Sequence, residues 1–167
     1  MSAMVTNFHE LYQSYSQDIY RFAYWLCGNS QDAEDITSET FVRALTVTDE
    51  IRTETVKGYL LTIAKNLAFK HAKREKRFSP LNPDLRETSG GPEQQVETSV
   101  ELQDVLCFLQ TMPEMDRAAL ILRIQETLPY EEIARILGVS LAAAKVRIHR
   151  ARLKLTAYRI NQELKET

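Results

Sequence analysis

Residues 128–155, LPYEEIARILGVSLAAAKVRIHRARLKL, decide how this chain is read. They divide at Gly138-Val139-Ser140 into two helical patterns. The first carries Ile133, Ala134, Ile136 and Leu137 on one side and puts Glu131 and Glu132 in its first turn, where acids suit the helix dipole. Gly138 can adopt the left-handed conformation that ends a helix, and Ser140 can cap the next. In the second pattern Leu141, Ala144, Ile148, Ala151 and Leu155 recur at spacings of three and four, a single apolar stripe. The opposite face holds Ala142, Val146, His149, Arg150 and Leu153. Lys145 and Arg152 flank it on one side, Arg147 and Lys154 on the other. Residues 145–159 contain six Lys or Arg and no acid. A solvated surface helix could carry the same charge run. The tight turn and the acidic helix before it select a helix-turn-helix, whose second helix suits the major groove.

Working outward, a net charge of −2 looks wrong for a nucleic-acid binder until it is divided along the chain. Residues 1–77 balance at 10 basic and 10 acidic, whereas residues 128–167 hold 8 basic against 4 acidic. Residues 78–100 and 101–127 each carry a net −3. Cations therefore gather at 65–77 and 145–159 with acid between them, as two separated contacts on one polyanion require. No apolar run approaches the roughly 18 residues of a membrane span and no signal pattern opens the chain, which points to the cytosol. Cys27 and Cys107 lack CxxC or Cys/His spacing, so neither zinc nor another cofactor is expected, and both read as buried thiols. His71 has no ligand partner at metal spacing. No P-loop, G-x-S-x-G or HExxH is present, and nothing suggests an enzyme.

The N-terminal half reads as three helices. Phe8, Leu11, Tyr12, Tyr15, Ile19, Phe22, Ala23 and Leu26 share one stripe, closed by Gly28-Asn29. Ser30 is a plausible cap for SQDAEDITSETFVRAL, whose apolar face is Ala33, Ile36, Thr40 and Ala44 with Phe41 at its margin. Asp32, Asp35, Glu39 and Arg43 line the far side, flanked by Ser38 and Val42. This is either a solvated face or a docking face for a basic partner helix. After a loop at 46–57, GYLLTIAKNLAFKHAKREKR resumes a helix with Tyr59, Leu60, Ile63, Ala64 and Leu67 inward. Six cations in the thirteen residues 65–77 exceed what helix capping needs and suit phosphate contact. Residues 78–99 hold three Pro and two Gly among polar and acidic residues and read as a flexible linker. Helices at 100–112 and from Pro113 precede the helix-turn-helix, with Leu102, Val105, Leu106, Leu109, Met112, Met115, Ala119 and Leu122 inward.

DAEDITSETFVRAL, GYLLTIAKNLAFKHAKREKR and LPYEEIARILGVSLAAAKVRIHRARLKL resemble, in order and spacing, the bacterial sigma factors of the extracytoplasmic-function group. The resemblance implies an all-α chain of two small helical domains, sigma region 2 at 1–77 and sigma region 4 at 101–167, joined by a linker at 78–100. It implies binding to core RNA polymerase (β′ clamp helices and β flap), recognition of −10 and −35 promoter DNA, help in opening the duplex, and control by an anti-sigma factor. Carried over by position, Asp32, Asp35, Ser38, Glu39 and Phe41 lie at or beside the β′ contact. Residues 46–57 match the segment that captures a flipped −10 base. Lys65, Asn66, Lys70, Lys73, Arg74 and Arg77 match the helix beside melted −10 DNA. Lys145, Val146, His149 and Arg150 match the −35 reading positions, while Arg147 and Arg152 are phosphate contacts or structural pairs. The family usually has Gln at Ser38, Trp at Tyr59, Asp at Lys70, and Gly-Thr-Val with a following Ser at Ala142-Ala143-Ala144 and Val146. Ala142, Ala143 and Val146 can touch thymine methyls but cannot hydrogen-bond a base edge. Two rival readings are a sigma-like decoy for an anti-sigma factor and a dimeric repressor using the helix-turn-helix alone.

Overall fold

A computed structural model describes residues 8–46, 55–78 and 99–167, with the side chains of 76–78 also left aside. The described residues form seven helices: α1 Phe8–Cys27, α2 Ser30–Thr46, α3 Val56–Phe78, α4 Val100–Gln110, α5 Glu114–Ile124, α6 Tyr130–Leu137 and α7 Leu141–Lys165. They divide into two compact units, Met1–Glu97 and Thr98–Thr167. The expected linker lies outside the described residues except at its ends, where Phe78 closes α3 and Val100 opens α4. Residues 47–54 of the expected base-capture loop also lie outside them; Val56 and Lys57, assigned to that loop, begin α3 instead.

The N-terminal unit packs α1, α2 and α3 against one another. Ile19, Phe22, Ala23 and Leu26 of α1 are buried against Ala33, Ile36 and Phe41 of α2 and Leu60, Leu61, Ala64 and Leu67 of α3. Burial of each large side chain contributes about 1.5–3 kcal/mol. Gly28 at φ 81° turns the chain between α1 and α2. The cap of α2 is Asn29 rather than Ser30. Asn29 Oδ1 accepts from the Asp32 N–H at 2.8 Å, and its amide donates to Asp32 Oδ2 at 2.7 Å. The aromatic stripe of α1 is only partly interior, since Phe8 and Tyr12 remain exposed at its first turns.

In the C-terminal unit α5 is the central element, packed against α4, α6 and α7. Every residue from Asp116 to Leu122 is buried, far more than the Met115, Ala119, Leu122 stripe expected, and Met115 itself is half-buried. Arg117 belongs to this core. Its guanidinium donates to the carbonyls of Leu109 at 2.8 Å and Met112 at 3.0 Å, satisfying groups that the end of α4 leaves open. The turn from α6 to α7 follows the sequence reading. Gly138 sits at φ 67°, its N–H and that of Val139 donate to Arg135 and Ala134, and Ser140 Oγ accepts from Ala143 N–H at 3.1 Å. On α7 only Ala144, Ile148 and Ala151 are fully buried, because Leu141 and Leu155 stand at the edges of the contact with α5 and α6. The buried-thiol expectation is corrected: Cys27 is half-buried and Cys107 exposed.

Candidate polymerase and nucleic-acid interfaces

The acidic face of α2 is built by the burial of its other side. Ala33, Ile36, Thr37, Thr40 and Phe41 point inward, and the Thr37 and Thr40 hydroxyls return bonds to the carbonyls of Ala33 and Ile36 at 2.6 Å. Asp35, Ser38 and Glu39 are left exposed at spacings of three and four. Glu39 pairs with Arg43 at 3.0 Å, one helical turn on. Asp32 is half-buried, held by Asn29 and 3.8 Å from His71 Nδ1 of α3.

Phe41 is not part of this exposed face. It is fully buried, with the rings of Tyr12 and Phe8 edge-on at 5.1 and 6.4 Å. A ring one position past Thr40 falls inside the packed arc rather than at its margin. The apolar surface beside the acids comes instead from Val42, 57% exposed, and Leu45, 52% exposed. Leu45 was missed by the sequence reading, although it lies one turn beyond Val42 and two beyond Ser38 on a helix whose core stripe already had its members.

His71 does have carboxylate neighbours, contrary to the sequence reading: donor atoms of Asp32, His71 and Glu75 all lie within 4.8 Å of one another. Glu75 is His71's i+4 neighbour on α3, a spacing visible in the sequence, whereas Asp32 comes from another helix. Three donors fall short of the four that structural zinc takes, and Asp32 is already held by Asn29.

On α3 the expected −10 residues separate into two groups. Asn66, Lys70, Lys73 and Arg74 are exposed on one side of the helix. Lys65 is buried on the other, in register with Leu61 and Ala68, its ammonium 6.0 Å from the Phe69 ring centroid. Burial pushes its pKa below the ordinary 10.5. The side chain of Arg77 lies outside those described.

The long C-terminal helix α7 presents Lys145, Val146, His149, Arg150 and Arg152 to solvent. Arg147 has another role. Its Nη1 donates to Asp116 Oδ1 at 2.9 Å, and Asp116 is a buried carboxylate of α5. Of the two expectations for Arg147, the geometry is that of a structural pair. Arg150 Nη2 reaches the same oxygen at 3.3 Å while the side chain stays 53% exposed, so this cation is tethered yet accessible. Asp116 was missed by sequence reasoning, since a lone acid 31 residues from its partner leaves no periodic signal.

Two families match this layout: Sigma-70 region 2 over residues 11–78 and Sigma-70 region 4 over residues 102–155. A region 2 unit followed by a region 4 unit defines an RNA polymerase sigma factor. The ECF RNA polymerase sigma factor SigE of Mycolicibacterium smegmatis is 35% identical over 161 residues, which cover 93% of this chain and 63% of SigE. The ECF sigma factor SigM of Bacillus subtilis is 31% identical over 154 residues, 89% of this chain and 92% of SigM. The chain belongs to the ECF RNA polymerase sigma factors, a family of transcription regulators. It spans less than two thirds of the length of SigE. Its fold is that of the sigma factor RpoE of Bartonella quintana, crystallised with the anti-sigma factor NepR, with a TM-score of 0.73 at 24% identity over 92% of this chain and 96% of that one. Among the described residues no helix is long and apolar enough to cross a membrane.

Proposed function

We propose that this protein directs core RNA polymerase to specific promoters in the cytoplasm. In this reading α2 docks on the β′ clamp helices, α3 lies beside melted −10 DNA, α7 reads the −35 element, the C-terminal unit meets the β flap, and an anti-sigma factor holds the protein inactive. The observation that carries the reading is α7 itself. The centre of its apolar stripe, Ala144, Ile148 and Ala151, is consumed by packing, yet Lys145, Val146, His149 and Arg150 stay exposed on a helix preset by a glycine stop and a serine cap.

The division of labour follows from the residues. Asp35 and Glu39 present acid, and Ser38 a hydroxyl, beside exposed Val42 and Leu45, a charged rim with an apolar anchor for a basic helix. Exposed Lys70, Lys73 and Arg74 neutralise phosphate, a contact that weakens as salt rises. Opening the duplex costs stacking and pairing, and capture of an extruded base by residues 46–57 recovers part of that cost. Lys145, His149 and Arg150 supply the hydrogen-bond donors for the −35 bases, and Val146 an apolar contact for thymine. Because one chain carries both sites, binding at one raises the effective concentration of the other when promoter spacing suits.

The deciding experiment is transcription reconstituted with purified core polymerase, with the 5′ ends of the transcripts sequenced. Discrete new start sites sharing two upstream elements are the expected result; a decoy would give none, and a dimeric repressor would protect palindromic DNA without polymerase. Charge reversal in D35K/E39K should weaken binding to core enzyme measured without DNA. Unchanged affinity would remove α2 from the docking surface.

A further inference from the structure

One ring stands where three segments of the C-terminal unit meet, and the promoter-reading role does not by itself account for it. Tyr130, the first residue of α6, is half-buried. The guanidinium carbon of Arg123, near the end of α5, lies 4.3 Å from the centroid of its ring. The Lys145 ammonium, from the first turn and a half of α7, lies 5.7 Å from the same centroid. The same guanidinium is fixed by a hydrogen bond, its Nη1 donating to the Leu128 carbonyl at 2.9 Å. The arrangement is a braced aromatic platform with a reading lysine over it.

We propose that Tyr130 is a positioning residue that determines −35 specificity: its ring, braced by Arg123, holds Lys145 over the groove before DNA arrives. The inference rests on the reading that α7 recognises the −35 element. Lysine is a compact charge on a long, freely rotating stem and loses much rotamer freedom when it binds one base edge. The negative face of an aromatic ring attracts a cation, by about a factor of two to five in equilibrium at an exposed site. That attraction draws the stem into a narrower set of rotamers beforehand, so less ordering remains to be done at the groove. It also offsets the repulsion between the Lys145 and Arg123 cations that share the ring. The consequence is selectivity rather than bulk affinity. A lysine held in one place discriminates between base edges, whereas a loose one finds a neighbouring phosphate and contributes without regard to sequence.

The test selects promoter DNA from a pool randomised in its −35 element, using holoenzyme assembled from the full chain and core polymerase. K145A identifies the base pairs whose preference depends on Lys145. Y130L, which keeps an apolar side chain but removes the π face, should flatten preference at those base pairs by about two- to fivefold. It should leave the preference that R150A abolishes. Y130F keeps the ring and should retain the parent profile, and Y130L/K145A should lose no more than K145A alone. The proposal is overturned if Y130L keeps the parent profile, or if it weakens preference equally at every position, as a merely structural role would. A parent holoenzyme with no −35 base preference would overturn the reading beneath it. That outcome is read on the parent alone, which separates it from failure of the Tyr130 proposal, read on Y130L. A K145A profile identical to the parent's would also overturn the proposal, since Lys145 would then read no base.

Discussion

The two cationic helices, α3 and α7, hold their charges in different ways. On α3, Lys70, Lys73 and Arg74 stand exposed and, among the described residues, make no ion pair with another helix, while Lys65 is buried on the packed side. On α7, three cations are tied to groups outside their own helix: Arg147 and Arg150 to Asp116 of α5, and Lys145 to the ring of Tyr130. Loose cations follow a backbone whose path changes as strands separate, since a phosphate can be met from many rotamers. Base edges in an intact groove have fixed geometry, and tethered donors suit them. In the proposed function, the same residue types would therefore serve a tolerant contact in one unit and a selective one in the other.

The sharpest way to break this contrast is to cut the tether. Removing one member of a buried ion pair costs about 3–5 kcal/mol, and partial exposure of Arg147 and Arg150 lets water recover some of it. Asp116→Ala should therefore destabilise the C-terminal unit by about 2–3 kcal/mol. The chain has a single tryptophan, Trp25, in the N-terminal unit, so its fluorescence reports that unit while far-UV circular dichroism reports both. In urea, D116A should shift part of the dichroism transition and leave the Trp25 transition in place. A shifted Trp25 transition would mean that the units share stability.

Cutting the reader rather than its tether comes next. Arg150→Ala should weaken discrimination at the −35 element by about 1–3 kcal/mol, read as relative transcription from matched and mutated promoters. Equal discrimination by variant and parent would remove Arg150 from the reading surface. Gly138→Ala should cost less, about 1 kcal/mol, because a Cβ there meets nothing within 4 Å and only the left-handed φ of 67° opposes it. A loss several times larger would show that the turn depends on more than its backbone conformation.

What the sequence made legible were features that repeat along one helix or mark its ends. The α7 stripe, the Gly138 stop, the Ser140 cap and the exposed acids of α2 all belong to that class. What it hid were pairings between helices. Asp116 against Arg147, Arg117 over the end of α4, and Tyr130 beneath Lys145 each join residues whose sequence separation carries no periodicity. Phe41 and Lys65 failed for a related reason. Phe41 was read at the margin of its apolar face and carried to the partner surface by the family resemblance, and Lys65 was read as a phosphate contact, but the packed arc of each helix is wide enough to take it in.

Lys65 gives the finest test of the contrast, because it is a cation that the packing of α3 buries. Its ordinary pKa of 10.5 is lowered by burial, so the charged form carries a desolvation penalty in the folded chain. Between the lowered folded value and 10.5 the unfolded chain binds more protons, and the Lys65 contribution to stability therefore rises with pH. Below that window Lys65 is charged in both states and the penalty is fully present. Lys65→Met should thus have the higher Tm at neutral pH, followed by Trp25 fluorescence, and its advantage should narrow as pH climbs toward 10. A gap that stays constant would mean that shape, not charge, sets the difference. The same variant bears on function: if it is more stable and opens promoters as well as the parent, the −10 contact rests on the exposed Asn66, Lys70, Lys73 and Arg74, and the buried amine is a cost of folding with no return at the DNA.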